Sequence, residues 1–349
     1  MPDISVSAGF AIGLAFGVVG LLSGFCLLSS LRDWWTADDG RKIRSYAIAL
    51  AVSILGVQFI ANAGIVDIGK SLYLQPSFSA PLIFIGGLLF GLGMVLSNGC
   101  ASRALVLIGK GNVRSLVVLV IIAITAQMTL KGLIAPARLA FLQWTQITPS
   151  AVSLPALLAQ VGIDATTARL AVVLLVAGAL FSFAFSDRQF RRARGQIAAG
   201  FVVGSLVVAG WLATGWLGVD EFNPIPVTSL TFIAPIADTV QYAMFSTGLS
   251  LNFGIALAVG VVVGSVVTSL LTGRFQLEGY TSANHMLRSI SGAALMGSGG
   301  AMAYGCSIGQ GLTGLSTLAL PSFIAAAGII TGAALGIRGV VVVPALATR

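Results

Sequence analysis

Two stretches decide the fold: Gly86-Gly87-Leu88-Leu89-Phe90-Gly91-Leu92-Gly93-Met94-Val95-Leu96-Ser97-Asn98-Gly99-Cys100 and Gly292-Ala293-Ala294-Leu295-Met296-Gly297-Ser298-Gly299-Gly300-Ala301-Met302-Ala303-Tyr304-Gly305-Cys306. Shifted by 206 positions, the distance from Cys100 to Cys306, the glycines at 86, 91, 93 and 99 fall on those at 292, 297, 299 and 305. Two of the three cysteines therefore stand at equivalent points of an internal repeat. Thiols that only fill space have no reason to keep such a register; two repeats meeting at a shared pathway do. A second segment repeats at almost the same offset, Ile48-Ala-Leu-Ala-Val52 recurring as Ile255-Ala-Leu-Ala-Val259. The chain thus reads as two homologous halves, 1–186 and 195–349, joined by a charged loop at 187–194 and forming one transmembrane domain overall.

The surroundings of the repeat are apolar to an extreme, 57% hydrophobic and 9% charged, with a mean hydropathy of +0.99. Soluble domains carry charge on about a quarter of their residues. Uncharged runs cover 4–31, 45–66, 71–102, 139–163, 195–219, 239–273 and 289–337. A helix needs about 20 apolar residues to cross the hydrocarbon core. The expectation is an all-α polytopic integral membrane protein; the period-two alternation of an outer-membrane barrel is missing from these runs.

Helical segments are expected over 7–30, 45–64, 115–135, 151–163 and 168–186 of the first half. The second half offers 196–215, a Pro-rich stretch Asn223-Pro224-Ile225-Pro226, then 238–249, 252–272 and 321–345. Short pieces 82–97 and 101–109 meet at Cys100, and 291–303 and 307–318 meet at Cys306. Gly-interrupted short segments at matching points of two halves are a sequence pointer to a transport site at a repeat interface. An odd number of spans per half inverts the second copy, and inverted pseudo-symmetric repeats with re-entrant or broken helices meeting at the centre are the preferred reading.

The net charge of +8 fits Lys and Arg gathered in cytoplasmic loops, with the clusters Arg32/Arg41-Lys42-Arg44 and Arg188/Arg191-Arg192/Arg194 facing the cytoplasm. Nucleic acid is a poor partner for a chain without a long basic stretch. The first residues hold Asp3 and no Lys or Arg, which favours an outside N-terminus and argues against a cleaved signal peptide. No Cys-x-x-Cys or Cys/His zinc spacing occurs, and His285 lies in a polar loop, so neither a metal nor a cofactor is expected. Glu278 and Arg288 read as a loop pair.

The chemistry sits around the cysteines. A glycine before each of Cys100 and Cys306 permits a turn with positive φ. A short helix starting beyond such a turn directs free N–H groups and a positive dipole end inward, which favours anions. Cys100, Cys306, Asn98, Gly99, Ser102, Gly305, Ser307 and Gln310 then line a pathway suited to an anion that is soft at one end. Cys26, in Gly24-Phe25-Cys26, is a third candidate, readable also as a small buried hydrophobe; Gly210-Trp211-Leu212 stands in a similar setting without a thiol. For passage of an anion the thiols must be protonated, whereas nucleophilic or redox chemistry needs the thiolate.

These residues resemble the YeeE/YedE family of sulphur-transport membrane proteins. The resemblance rests on Gly24-Phe25-Cys26, Asn98-Gly99-Cys100, Gly299-Gly300-Ala-Met-Ala-Tyr304-Gly305-Cys306-Ser307-Ile-Gly309-Gln310-Gly311 and the linker Gly218-Val-Asp220-Glu221-Phe-Asn-Pro224, and it spans the chain. The Cys100 motif departs from the family's commonest Gly-Gly-Cys in having Asn98. The resemblance implies a pseudo-two-fold helical fold with short helices dipping to the centre. It implies uptake of thiosulfate across the bacterial inner membrane, the anion passing along Cys26, Cys100 and Cys306 by weak S–H hydrogen bonds. It implies a small cytoplasmic sulfurtransferase-like partner. The chain is then not an enzyme. The alternatives are a transporter of another sulfur or selenium species, or a membrane thiol–disulfide redox protein, for which a Cys100–Cys306 pair would be the reactive couple.

Overall fold

The computed structural model describes residues 2–160, 162–218 and 225–339. Among them it is helical throughout, with isolated bridges (Phe78 to Ile147, Asn112 to Glu278, Ser153 to Ala319) in place of strands. The elements of the first half are α1 Pro2–Ser23, α2 Leu27–Ala37, α3 Arg41–Asn62, α4 Ala80–Leu96, α5 Ala101–Gly109, α6 Val113–Leu130, α7 Ala135–Thr145, α8 Leu154–Ala159 and α9 Ala165–Phe185. After α10 Arg188–Arg192 follow α11 Arg194–Gly215, α12 Ile233–Met244, α13 Phe253–Leu271, α14 Ala283–Met302, a π-helical turn Gly309–Gly314 and α15 Leu320–Arg338. Eight of the described segments are long and apolar enough to cross a membrane.

Glycine sets how closely these helices pack. α4 and α14 run antiparallel, and their glycines meet reciprocally. A Cβ on Gly86 would strike the backbone of Gly299, and one on Gly93 the carbonyl of Gly292. α1 lies parallel to α13, with Gly9, Gly13 and Gly17 against Phe253, Leu257 and Val261. α11 lies parallel to α3 in the same way, with Gly200 and Gly204 against Ser45 and Ala49. α4 and α15 are also parallel, Gly87 and Gly91 facing Ala325 and Ile329. Close approach of this kind takes the place of the hydrophobic drive that water gives soluble helices, because lipid tails are as apolar as the side chains.

Several expected segments are corrected. The single helix expected over 7–30 is two helices, α1 and α2, separated at Gly24 to Cys26. The segment expected over 151–163 shrinks to α8, and α7 arises where no helix was expected, with Pro at its first turn. His285 sits in the first turn of α14 and not in a loop, because the Ser282 hydroxyl accepts its N–H and caps the helix. The piece expected over 307–318 is the π-helical turn, in which Thr313 N–H donates to Ile308 O five residues back. Glu278 pairs with Arg114 at 2.8 Å and Lys110 at 3.6 Å instead of Arg288. The last helix is described to Arg338; its expected continuation over 340–345 lies outside the described residues, as do Asp220, Glu221 and the Asn223-Pro224 part of the Pro-rich stretch.

Candidate functional site

All three cysteines occupy one local device. The residue two positions before each thiol is in the left-handed region: Gly24 at φ +66°, Asn98 at +55° and Tyr304 at +57°. The sequence had pointed to the adjacent glycines for this role. Gly99 N–H reaches back to Met94 O at 3.0 Å and Gly305 N–H to Gly300 O at 2.9 Å, so α4 and α14 end in Schellman turns. Gly24 N–H bonds Gly20 O at 3.1 Å, the simpler single-bond form. A left-handed residue other than glycine costs roughly 1–2 kcal/mol, and the chain carries it at two of the three breaks.

Each cysteine then starts the next element. The carbonyls of Cys26, Cys100 and Cys306 accept the N–H groups of Ser30, Ala104 and Gln310 at 3.0, 3.0 and 2.8 Å, the first helical bonds. The thiols are thus N-cap side chains. Cys306 Sγ accepts the Gly309 N–H at 3.3 Å. The amides three residues past the other two thiols, Ser29 and Arg103, stand beside those sulfurs without forming a full cap bond. Three helical N-termini therefore face the interior together, each a partial positive charge.

The three sulfurs are buried, at 1%, 0% and 0% relative exposure for Cys26, Cys100 and Cys306. Cys26 and Cys100, far apart in sequence, place their sulfurs 3.6 Å apart, and Ser102 Oγ lies 3.2 Å from Cys100 Sγ. Tyr46 links the breaks. Its ring stacks on Phe25 at 5.5 Å, its hydroxyl donates to Ser307 O at 2.6 Å, and it lies within electrostatic reach of all three sulfurs. Gln310 donates through Nε2 to Ala303 O, which leaves Gln310 Oε1 and the Ser307 hydroxyl buried and without partners. Among the described residues, the buried side chains with polar groups include those of Ser, Thr, Asn and Gln and also Tyr46 and Tyr73, and no Lys, Arg, Asp or Glu is buried.

A cavity lies on each side of this cluster. The wider, about 800 Å³, is lined by Lys70, Tyr73, Thr231, Asp238, Tyr304 and Gly305, and so reaches the residue before Cys306. The narrower, about 250 Å³, is lined by Asn98, Gly99, Arg103, Lys110, Asn112 and Arg114, and so reaches the residue before Cys100. They open at opposite ends of the α4/α14 pair, since Gly300 and Ala301 line the first and Ser289 and His285 the second.

Of the residues singled out from sequence, Cys26, Cys100 and Gly99 come together at one end of the cluster and Cys306, Gly305, Ser307 and Gln310 at the other. Asn98 is exposed, its carbonyl oxygen accepting from Arg32 at 2.7 Å at the narrow cavity's rim. The segment Gly210-Trp211-Leu212 is continuous helix within α11, so Cys26 has no broken counterpart there. Tyr46 was missed. A lone tyrosine in a long uncharged run carried the signal, but only the fold places its hydroxyl beside residue 307.

The profile of a family described as sulphur transport matches residues 22–335. The chain belongs to this sulphur-transport family. It is 25% identical over 327 residues to the thiosulfate transporter TsuA of Escherichia coli strain K12, covering 88% of this chain and 86% of that one. It is 24% identical over 348 residues to the thiosulfate transporter TsuA of Spirochaeta thermophila, covering 93% and 96%. A shorter likeness, 30% over 101 residues, links 28% of the chain to 22% of the probable transporter YedE of Escherichia coli.

Proposed function

We propose that this protein carries thiosulfate across the bacterial inner membrane, the anion passing Cys306 and then the Cys100–Cys26 pair. The observation that carries this reading is the placing of three thiol N-caps between two opposed cavities. Thiosulfate has a soft, polarizable sulfur and a hard oxyanion end. A neutral S–H is a weak donor to the first, and helix N-termini stabilise the charge. Conduction needs binding favourable enough to admit the ion and weak enough to release it. The full-length relatives named as thiosulfate transporters support the substrate. Asn98, Gly99, Gly305, Ser307 and Gln310 belong to the pathway, with Ser307 and Gln310 offering unpartnered polar atoms beside Cys306.

The two halves, 1–186 and 195–349, are inverted repeats in this reading. Three pairings support it: α4 crosses its equivalent α14 antiparallel through reciprocal glycines, and the parallel pair α1/α13 has its counterpart in α11/α3. The face with Arg32, Arg41, Arg44, Lys110, Arg114 and Arg191 is the cytoplasmic one, following the positive-inside bias. A small sulfurtransferase-like protein receives the sulfur there.

The test is uptake of radiolabelled thiosulfate into proteoliposomes, with sulfate, sulfite and selenite as competitors. Uptake that survives Cys100→Ala and Cys306→Ala together rules out the thiol pathway. A redox reading has one observation in its favour, the 3.6 Å approach of Cys26 and Cys100, a different pair from the one expected. Alkylation mass spectrometry on native membranes separates the two: a Cys26–Cys100 disulfide that cycles with substrate would replace the transport reading.

A further inference from the structure

Every other cation of the narrow cavity is engaged. Lys110 and Arg114 bind Glu278 at 3.6 and 2.8 Å, and Asn112 donates to the same carboxylate at 2.7 Å. Arg103 lines that cavity and has neither a side-chain hydrogen bond nor an ion pair among the described residues. Its position is particular. The aliphatic stem lies over Gly99, where a Cβ would sit 3.5 Å from Arg103 Cδ, and its guanidinium reaches the Gly24 turn, where a Cβ would sit 4.0 Å from NH1. It therefore bridges two of the three helix breaks and is near enough to Cys26 to act on that sulfur through charge. Arg103 is half-buried, so water screens it less than a surface cation.

We infer that Arg103 is the release-side receptor of the pathway: its guanidinium takes the oxyanion end of the substrate while the soft end is still at the Cys100–Cys26 thiols. The inference rests on the transport reading above. A planar guanidinium offers parallel N–H donors that match two oxygens of a sulfonate-type group, which a point-charge ammonium does not. Thiols, as weak donors, suit the soft sulfur end and compete poorly for the oxygens. Splitting the two ends of one ion between two kinds of group sets its orientation as it leaves. Since Arg103 is at the end away from Cys306, it should govern affinity from one face only.

The experiment measures half-saturation of labelled thiosulfate flux from each face, in right-side-out and inside-out membrane vesicles carrying the full-length protein. Arg103→Gln should raise the half-saturation concentration from the narrow-cavity face by an order of magnitude or more, the usual weight of charge-assisted hydrogen bonds. The value from the wide-cavity face should not move, and Arg103→Lys should recover part of the loss. An equal shift from both faces, or none, would overturn the assignment. No flux through the unsubstituted protein would instead overturn the transport reading itself.

Discussion

Replacing Cys306 by serine should move stability and transport in opposite directions. Cys306 is an N-cap whose sulfur accepts the Gly309 N–H at 3.3 Å, in a segment buried on all sides. Serine is among the best N-caps and alanine among the poor ones, and the step from one to the other costs about 0.5–2 kcal/mol. Sulfur is the weaker acceptor, so cysteine belongs between them. The Ser variant should then be as stable as the unsubstituted protein or up to about 1 kcal/mol more stable, and the Ala variant less stable by a similar amount. Gly309 N–H occupies the hydroxyl oxygen, and the same buried turn holds an unpaired acceptor, Gln310 Oε1, for the hydroxyl proton. Transport should go the other way. A hydroxyl is a stronger and harder donor than a thiol, and it lacks a polarizable atom to meet the sulfur end of the substrate. Thermal unfolding in detergent, followed beside labelled thiosulfate uptake, reads both quantities. A Ser variant that transports like the unsubstituted protein would show that sulfur softness is not used. Ser and Ala variants that melt alike would show that the N-cap geometry is not what holds residue 306.

Three further outcomes follow from the geometry. Asn98→Gly removes the left-handed strain at φ +55° and should fold normally, whereas Asn98→Val adds a β-branched side chain there and should lose roughly 1–2 kcal/mol, read as a lower melting temperature with reduced uptake. Gly93→Val sets its side chain against the Gly292 carbonyl, a rigid neighbour. It should cost at least about 1–3 kcal/mol and show as aggregation on size exclusion, while Gly178→Val, with open space around it, should elute like the unsubstituted protein. Glu278 is held below its ordinary value of 4.5, first by the hydrogen bond from Arg114 and also by Lys110 and Asn112. A depressed carboxylate stabilises the fold above the unfolded value and loses that contribution as pH falls through the folded one. Glu278→Gln should therefore flatten the fall in stability below about pH 4.5 that the unsubstituted protein shows in a pH series of melts.

The helical membrane class was legible because composition alone enforces it: in lipid, backbone groups must be satisfied within the helix. The breaks at Cys100 and Cys306 were legible because glycine spacing repeats. The break at Cys26 was hidden, since Gly24 is a single glycine in an unbroken apolar run and propensity cannot show that α1 stops there. The left-handed positions were misplaced by one residue. Glycine is the usual bearer of positive φ, yet Asn98 and Tyr304 carry it, because the following Gly99 and Gly305 are occupied in closing the Schellman turn. His285 was read as loop because Ser282, its cap, sits among other polar residues. The meeting of Cys26 with Cys100, and of Tyr46 with residue 307, depends on tertiary contacts across many residues, about which periodicity says nothing.

The absence of a fully buried charge among the described residues bears on how an anion could cross without being trapped. A buried lysine or arginine between the cavities would hold a dianion strongly, because attraction rises steeply as the local dielectric falls. Helix N-termini act differently: each contributes about half an elementary charge spread over several amides. In the proposed pathway three of them, at α2, α5 and the segment after Cys306, would offset part of the cost of dehydrating the ion without forming a full ion pair. Full charges stand in the cavities instead, Arg103, Lys110 and Arg114 in the narrow one and Lys70 with Asp238 in the wide one, where water reaches and competes. The proposed pathway then gives the thiol a defined role: as an N-cap it is already at the positive end of a helix, and it would add a weak contact that favours sulfur. Oxygen-only anions such as sulfate would meet the same dipoles but gain less from the thiols, which favour a soft acceptor. On this reasoning selectivity for a sulfane sulfur should collapse before conduction does when single cysteines are changed. Competition by sulfate against labelled thiosulfate uptake should strengthen in Cys100→Ser, and competition that stays as weak as in the unsubstituted protein would count against the argument.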